Sequence, residues 1–576
     1  MPSGEMDTLA TAAAWIRAQE IGRATRIETP FGRRLICYAD LTATGRHLRA
    51  VEDWVCRLRP FYANTHTEIS STGRIMTGLR EGARRLVHRA VHAAPDDEVL
   101  FVGSGATAAV NKLVGLLGLR ISEPLERAHG LGRAIPLEDR PVVFVGPYEH
   151  HSNELPWLES IAEVIEIGLD GDGGIDLEDL RRRLAEHAGR RLRIGSFSAA
   201  SNVTGVLSDV PAIARALHRA GALAFFDYAA LAPYAPIDMH PADPDARIDA
   251  VFLSPHKFLG GPEASGVLVA NRALFRTRTP ERPGGGTVDY VAGPHREDVD
   301  YVARLSEREE GGTPAILGDI RAGLACLVKE MIDPRLVLDH EIAMAARAAG
   351  RLMRHPRIRV LGPARARLAI LPIEIEGLHH DLASALLDHL FGIQNRAGCS
   401  CAGPYGHRLL GIEPDRSARF RALVQRGILG IKPGWVRISL PWYASERDLE
   451  FILCAVEFVA THGMAFVPAY ELDWRRGVWR QREHPEGEPD GAPELSLEAL
   501  RCAAAAADGL PDDTIGDAEL HAERAGYLEE ARRAAVRLEE RWKAAPPTWN
   551  PSTGDAELDA LVWFRYVHAG GLEAQR

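Results

Sequence analysis

The stretch Ala250-Val-Phe-Leu-Ser-Pro-His-Lys-Phe-Leu-Gly-Gly261 decides the fold of this chain. Its apolar residues 251–253, followed by Ser-Pro and then Gly-Gly, predict a buried strand that ends in a turn. Lys257 then lies at the edge of the core, where loss of water favours the neutral amine that Schiff-base chemistry needs. Only five lysines occur among the 68 basic residues. A chance lysine at a strand end fits this stretch equally well.

A second apolar run, Ala222-Leu-Ala-Phe-Phe-Asp-Tyr-Ala-Ala230, predicts another buried strand that ends at Asp227. Its carboxylate precedes Lys257 by thirty residues (257 − 227). Pyridoxal phosphate (PLP) needs such a pair, because a lysine forms its imine while an acid keeps the pyridine nitrogen protonated and the ring accepts electrons. The two strands together therefore favour a PLP site.

Composition narrows the functional classes. Of the 576 residues, 46% are hydrophobic and 26% are charged, as in ordinary globular proteins. The formal net charge of −11 argues against nucleic acid as a partner. No apolar run is long enough to cross a membrane, and residues 9–16 fit an amphipathic helix better than a signal peptide. Seven scattered cysteines favour a reducing cytoplasm over a disulfide framework.

Strand-like and helix-like patterns alternate through the first half of the chain, which predicts an α/β fold whose mainly parallel sheet is wrapped by helices. Ligands of such sheets bind at the carboxyl ends of the strands. The predicted strands are 99–102, 142–145, 162–167, 194–198 and 222–227, and the predicted helices are 108–119, 176–187 and 210–220.

Several motifs together resemble the class V (fold-type I) PLP enzymes, in particular the cysteine desulfurase and selenocysteine lyase branch. The opening Tyr38-Ala-Asp-Leu-Thr-Ala-Thr-Gly45, the run Tyr148-Glu-His-His-Ser-Asn-Glu-Leu-Pro-Trp157 and the Asp227 and Lys257 strands carry the likeness. It extends from about residue 36 to about 460. It implies a large domain with a mainly parallel seven-stranded sheet, followed by a smaller C-terminal α/β domain.

The same resemblance implies a set of cofactor ligands. Small residues at a helix start cradle the phosphate, His150 stacks on the PLP ring, and Asn202 lies near the PLP hydroxyl and the substrate carboxylate. In these enzymes a threonine, here Thr313, reaches the phosphate of the partner subunit, so a homodimer is expected. The implied cofactor-binding residues are Gly105, Ala106, Thr107, His150, Asn202, Asp227, Ser254, His256, Lys257 and Thr313.

Two departures from the family pattern bear on the reaction. The family usually carries Gln or His three residues after the aspartate, where this chain has Ala230, so the tuning of the cofactor differs. A second hydroxyl often occupies the position of Ala106. The adjacent His150 and His151 do not suggest a metal site, because neighbouring side chains point apart; His151 and His66 fit plain hydrogen-bonding roles as well as functional ones.

The loop Asn395-Arg-Ala-Gly-Cys-Ser-Cys-Ala-Gly-Pro404 indicates which PLP reaction to expect. It resembles the desulfurase loop "R-x-G-x-x-C-A-x-P" and makes Cys401 the nucleophile that takes sulfur from L-cysteine as a persulfide. Arg396 adds positive charge that favours thiolate or meets a carboxylate. Arg437 matches the arginine that binds the substrate carboxylate, a task suited to its two parallel donors.

Cys399 leaves three interpretations open: a metal ligand with His407, a persulfide relay or redox partner of Cys401, and an inert neighbour. Cys-x-Cys after Arg-x-Gly also resembles the molybdenum-cofactor sulfurase branch. Thirty-six residues separate Cys401 from Arg437 (437 − 401), more than is usual in the family. We interpret residues 405–434 as an insertion that covers the cleft or the cysteine.

The expected domains are an N-terminal helical segment (1–35), a large PLP-binding domain (36–320), a small domain with the cysteine loop (321–483), a linker (484–494) and a helical appendage (495–576). The appendage, with predicted helices 495–507 and 518–545, suits packing or dimer formation, or the docking of a protein sulfur acceptor. The expected reaction is desulfuration of cysteine to alanine, with Lys257, Cys401, His150 and Asp227 as catalytic residues. A transaminase or epimerase-type reaction on a specialised amino acid, and a non-catalytic sulfur carrier, are the alternatives.

Overall fold

A computed structural model describes residues 8–484, 496 and 514–572. The chain forms two compact units, each assembled from separate segments. The first contains 1–12, 42–343 and 363–368. The second contains 13–41, 344–362 and 369–576.

The strands are β1 (Arg26–Ile27), β2 (Arg34–Leu35), β3 (Cys37–Tyr38), β4 (Asp97–Val102), β5 (Val142–Val145), β6 (Glu163–Glu166), β7 (Arg193–Ser198), β8 (Leu223–Asp227), β9 (Ala250–Leu253), β10 (Gly266–Asn271), β11 (Val288–Val291), β12 (Val299–Tyr301), β13 (Ile358–Val360), β14 (Ile370–Ile375), β15 (Ile393–Gln394), β16 (Arg396–Gly398), β17 (Trp435–Ser439), β18 (Tyr470–Asp473), β19 (Val478–Gln481) and β20 (His568–Gly570).

The helices are α1 (Leu9–Gln19), α2 (Arg49–Leu58), α3 (Ser71–Ala90), α4 (Gly105–Leu116), α5 (Glu123–His129), α6 (Leu131–Ala134), α7 (His151–Leu158), α8 (Leu177–Glu186), α9 (Val210–Arg219), α10 (Leu305–Glu309), α11 (Ile316–Lys329), α12 (Pro334–Leu352), α13 (His380–Phe391), α14 (Gly403–Leu410), α15 (Pro414–Gln425), α16 (Glu446–Phe466), α17 (Asp517–Ala544) and α18 (Ala556–Leu561).

The first unit is built on a seven-stranded sheet with the order β4-β10-β9-β8-β7-β5-β6. The strands β5 to β9 run parallel, and β10 runs antiparallel to both β4 and β9. The predicted mainly parallel seven-stranded sheet is therefore confirmed. Asp227 pairs with Phe252 of β9 and with Ser198 of β7, so the carboxyl ends of three strands meet at one edge.

Apolar strands and amphipathic helices explain this unit. All four residues of β5 and of β9 are buried, as expected of strands covered on both faces. Trp157 stacks on Phe225 of β8, with ring centroids 6.3 Å apart, inside one continuous core. Each such buried aromatic side chain stabilises the fold by roughly 1.5–3 kcal/mol. Helix α9 begins where the carboxylate of Asp209 accepts the Ala212 N–H at 3.0 Å.

The second unit contains a four-stranded sheet with the order β13-β14-β17-β16. Strand β3, from the start of the chain, pairs in parallel with β15, and Ser439 N–H donates to Ala39 O at 2.7 Å. The C-terminal helix α17 packs against α16, where Arg524 and Asp448 form a buried ion pair at 2.6 Å. Helix α17 begins and ends one residue before the bounds predicted for it.

Strand β20 pairs in parallel with β18 and completes a three-stranded sheet with the order β19-β18-β20. The predicted helix 495–507 and the predicted linker 484–494 lie outside the described residues, except for 484 and 496. Contrary to the expectation from the sequence, one helical stretch within the described part of the chain, Glu446–Ala469, is long and apolar enough to span a membrane. Because 72% of its most apolar window is buried, it has the character of a core helix.

Candidate functional site

Asp227 and Lys257 lie at the carboxyl edge of the first unit's sheet. Asp227 ends β8 with its side chain buried, and its Oδ1 accepts the Ala229 N–H at 2.8 Å. Burial raises the pKa of this carboxyl, although the Ala229 hydrogen bond and the charge of Lys257 oppose the shift. Lys257 is half-buried in the short 3-10 helix that follows β9. The two predicted residues therefore lie close enough for the charge of Lys257 to lower the pKa of Asp227.

The start of α4 faces the turn that carries Ser254 and His256. Ala106 donates its N–H to Ser254 Oγ at 2.9 Å. Gly105 has a φ of +55°, and a Cβ atom there would lie 2.7 Å from Ser254 Oγ and 3.5 Å from His256 Nε2. This close approach explains why position 105 requires glycine. The start of α4, the hydroxyl of Ser254 and the imidazole of His256 therefore lie side by side.

His256 is held in its neutral form. Burial, followed by the charge of Lys257, lowers the pKa of His256 to about 4. Its Nδ1 lies 3.2 Å from Thr44 Oγ1, and its carbonyl accepts from Thr44 Oγ1 at 3.0 Å. A neutral imidazole beside the start of α4 can donate one N–H to an anion without adding charge.

His150 caps helix α7, and the preceding Glu149 anchors the same turn. His150 Nδ1 accepts the Ser152 N–H at 3.0 Å, while Ser152 Oγ lies 2.6 Å from Thr107 Oγ1. Thr107 is exposed. Glu149 is buried and accepts the N–H of Ser198 at 2.8 Å and its hydroxyl at 2.6 Å.

Burial, partly offset by the hydrogen bonds from Ser198 and Asn153, raises the pKa of Glu149 to about 7, and the charge of Asp227 adds to this. Glu149, whose carboxyl has a pKa of about 7, therefore links the turn that carries His150 to β7. Strand β7 lies next to β8, which ends at Asp227.

Asn202 and Thr313 differ in exposure. Asn202 is buried, with 7% of its surface exposed, in the segment that follows β7. Thr313 is exposed, and its hydroxyl accepts from Asn64 Nδ2 at 3.2 Å. Gly312 N–H donates to Gly285 O at 2.8 Å, so the loop that carries Thr313 meets the glycine-rich loop 284–286.

The second unit brings Arg396 and Arg437 together on neighbouring strands. The two residues face each other across β16 and β17. Asp40 joins them, because its Oδ1 accepts from Arg437 Nη2 at 2.8 Å and its Oδ2 from Arg396 Nε at 3.1 Å. Arg437 is buried at 3% exposure, whereas half of the Arg396 side chain is in solvent. Burial lowers the pKa of Arg437, and the charge of Asp40 works in the opposite direction.

Cys401 lies on a tight turn directly after β16. Ala402 donates its N–H to Cys399 O at 3.2 Å, and between them Ser400 and Cys401 have φ values of +51° and +56°. Two consecutive positive φ angles closed by this hydrogen bond define a type I′ turn, which normally contains glycine or asparagine. Cys401 is exposed and Cys399 is half-buried. The turn therefore projects the predicted nucleophile into solvent.

The residues of the first unit fit PLP. A buried acid, a half-buried lysine and a helix start with a hydroxyl and an imidazole supply the partners that a pyridine nitrogen, an aldehyde and a phosphate require. The scarcity of lysine alone does not identify Lys257, because Lys112 is also buried, in an ion pair with Glu309 at 2.9 Å. The effect of its charge on the buried carboxyl of Asp227 is what distinguishes Lys257.

Two residues of the site carry no predicted role. Asp40 stands in the quoted opening motif, but only the fold shows that it bridges two arginines far away in the chain. Glu149 stands directly before His150, and its place in the quoted run was the available signal.

Comparison with known proteins agrees with this geometry. The family model described as aminotransferase class-V matches residues 37–452. The chain belongs to this family. The family resemblance inferred from the motifs is therefore confirmed. A probable cysteine desulfurase of Halalkalibacterium halodurans is 31% identical over 378 residues, which cover 64% of this chain and 84% of the relative. A probable cysteine desulfurase of Streptomyces coelicolor is 29% identical over 381 residues, covering 65% and 84%.

Solved structures show the same fold. A cysteine desulfurase of Thermococcus onnurineus in its apo form aligns with a TM-score of 0.58 at 24% identity, covering 74% of this chain and 95% of that one. A cysteine desulfurase of Escherichia coli aligns with a TM-score of 0.58 at 23% identity, covering 73% and 93%. At these identities the likeness concerns the fold.

Proposed function

We propose that this protein is a PLP-dependent cysteine desulfurase-like C–S lyase that takes sulfur from L-cysteine onto Cys401 and releases alanine. The observation that carries the proposal is the exposed Cys401 on its type I′ turn, directly after the strand that sets Arg396 beside Arg437. A transaminase or an epimerase needs a cofactor and a carboxylate-binding arginine, but it has no use for a projected thiol. The sequence likeness to probable cysteine desulfurases supports the same choice.

The residues of the first unit hold the cofactor and move protons. PLP, when bound, supplies an aldehyde that captures the substrate amine and a ring that withdraws electrons from the substrate. Lys257 would hold the aldehyde, and its amine, once displaced by the substrate amine, would accept the α-proton of the substrate. Asp227 would keep a proton on the ring nitrogen, His150 would support the ring, and Asn202 would orient the substrate.

The phosphate of the cofactor has its own set of ligands. The N–H groups at the start of α4, the hydroxyls of Thr107 and Ser254 and the ring of His256 would bind it. The convergence of Ser254 and His256 at Gly105 supports this set. A helix start and neutral donors suit a phosphate, because they offer hydrogen bonds without the cost of burying further charge.

The residues of the second unit bind the substrate carboxylate and accept sulfur. Arg437 donates two parallel hydrogen bonds to the carboxylate, and Asp40 holds its guanidinium in place. Arg396 adds positive charge near the thiol. The Cys401 thiolate would form an S–S bond with the substrate sulfur while the Cβ–S bond breaks and its electron pair passes to Cβ. Cβ then takes up a proton to become the methyl group of alanine, and a persulfide remains on Cys401.

A homodimer is part of this proposal. An apolar groove of about 550 Å³ lies among α2, α3 and α11 of the first unit, and exposed Trp54 and Leu327 line it. Covering such a surface with a second copy removes apolar area from water. Exposed Thr313 would then be available to contact the phosphate in the partner subunit. Sedimentation of Leu327→Asp, which charges the groove, should show a monomer where the unaltered protein is a dimer.

The proposed compartment is the cytoplasm, where Cys401 is reduced again after each turnover. A thiol or a protein acceptor removes the persulfide sulfur. The helical C-terminal segment is the proposed docking element for such an acceptor.

The test uses the purified holoenzyme with L-cysteine and a thiol reductant. We expect equal amounts of sulfide and alanine, and a persulfide on Cys401 by mass spectrometry when the reductant is omitted. Cys401→Ala should abolish sulfide while the absorbance of the bound cofactor is retained, and Cys56→Ala, at another exposed cysteine, should behave as the unaltered protein. Sulfide release that persists in Cys401→Ala, or conversion of the cofactor to its amine form without sulfide, refutes the proposal.

A further inference from the structure

The turn that carries Cys401 has an unfavourable backbone. Both central residues, Ser400 and Cys401, have positive φ angles although neither is glycine. Side chains with a Cβ atom are destabilised in this region, because Cβ approaches the following carbonyl. Such a conformation persists only where surrounding contacts hold it, and it is concentrated at functional sites. Some contact must therefore keep this turn closed.

Cys399 supplies such a contact from the first position of the turn. Its Sγ–H donates to the carbonyl of Pro433 at 3.0 Å, and Pro433 lies two residues before β17. The neighbouring Gly398 pairs with Trp435 in the same sheet. The thiol thus ties the first residue of the strained turn to the segment that leads to Arg437.

The surroundings of Cys399 suit a hydrogen-bond donor better than a nucleophile. Burial raises the pKa of this thiol, and Asp381 and Cys401 add to the shift, whereas Lys432 opposes it. The S–H form, which donates to a carbonyl, is therefore favoured over the thiolate that sulfur transfer requires. This argues against a persulfide relay through Cys399.

We propose that Cys399 is a positioning residue whose thiol holds the type I′ turn closed, so that Cys401 stays projected for sulfur transfer. This inference rests on the proposed function of Cys401 as the sulfur acceptor. The residue needs only an S–H or O–H donor of this length, so serine can replace it and alanine cannot. Glycine at position 400 removes part of the backbone penalty, and should therefore make the anchor less necessary.

Four variants of the full-length holoenzyme test this role: Cys399→Ser, Cys399→Ala, Ser400→Gly, and Cys399→Ala combined with Ser400→Gly. We expect Cys399→Ala to lower the kcat of sulfide release about fivefold, as expected for the loss of one net hydrogen bond, with the KM for L-cysteine unchanged. Cys399→Ser should match the unaltered enzyme, and Cys399→Ala should lower the rate much less in the Ser400→Gly background than in the unaltered background.

Hydrogen exchange at the Ala402 amide provides a readout that needs no activity. Because this N–H closes the turn, its exchange should be about fivefold faster in Cys399→Ala and should return to normal in Cys399→Ser. If the protein releases no sulfide at all, the proposed function fails but the exchange result still decides the anchor. Equal loss of rate in Cys399→Ser and Cys399→Ala, absence of rescue by Ser400→Gly, or unchanged exchange in Cys399→Ala overturns the inference.

Discussion

Replacing Asp40 by Asn tests whether one carboxylate supports the arginine pair of the second unit. Arg437 is almost fully buried, and its Nη2 donates to Asp40 at 2.8 Å. Removing one partner of a buried ion pair costs roughly 3–5 kcal/mol, because the remaining charge lies uncompensated in the interior. Asparagine keeps an oxygen that can accept this hydrogen bond. We therefore expect Asp40→Asn to lower the free energy of unfolding by about 2–3 kcal/mol.

The measurement is urea unfolding of the full-length protein, followed by tryptophan fluorescence, because Trp435 is fully buried on the same strand as Arg437. Glu374→Gln is the matched control. It removes an ion pair with Arg359 whose side chains are 28% and 57% exposed, and such pairs contribute about 0–1 kcal/mol. A loss in Asp40→Asn no larger than in this control would refute the claim that Asp40 compensates a buried charge.

Three further outcomes follow from the first unit. Gly105→Ala should weaken PLP binding by about tenfold or more in an absorbance titration, because the new Cβ atom would lie 2.7 Å from Ser254 Oγ. Gly118→Ala is the control, since Gly118 also has a positive φ but has open space around it, and this variant should bind PLP normally. The raised pKa of Glu149 means that its contribution to stability is fully present below pH 4.5 and is lost as the pH rises through about 7. Glu149→Gln should remove up to about 3 kcal/mol of this pH dependence in denaturant titrations, and an unaltered profile would contradict the assignment. Burial alone would raise the pKa of Glu310, but the charges of Arg84 and Arg80 outweigh burial and lower it. The contribution of Glu310 to the stability of the fold is therefore present above its ordinary pKa and is lost in acid. Glu310→Gln should cost roughly 3 kcal/mol at pH 7 and less below pH 4, which thermal melts at both pH values can check.

Sequence patterns predicted six of the seven strands in the sheet of the first unit, whereas β10 (Gly266–Asn271) was not predicted and the count of seven came from the family resemblance. The most apolar of these strands, such as β5 and β9, are continuous runs that are read directly from the chain. The strand 142–145 has the predicted bounds, and β8 ends at Asp227 as expected. Helix α4 begins three residues before its predicted start, at Gly105, because a glycine at positive φ was taken as part of the loop. Hydrophobic periodicity does not reveal such a boundary.

Contacts between distant segments were beyond the reach of sequence reasoning. Nothing in the local sequence of Asp40 indicates that it meets Arg396 and Arg437, since that contact depends on sheet register. The hydrogen bond from Cys399 to Pro433 likewise joins residues that are separated along the chain by helices α14 and α15. The role of the 405–434 segment as a cover stays a prediction. Within this unit α15 is tied to the C-terminal segment by the ion pairs Arg419–Glu557 and Arg426–Asp555.

The discontinuous make-up of the second unit has a consequence for synthesis on the ribosome. Strand β3 cannot pair until its partner β15 has been synthesised, and β18 cannot pair with β20 until residues 568–570 have been synthesised. Between Leu41 and Met344 the chain contributes almost entirely to the other unit. At about 5–20 residues per second, ribosomes take roughly 15–60 s to cover that interval. The thiol-bearing unit is therefore the last to mature, and the sheet that holds Lys257 has time to form before a reactive cysteine is in place.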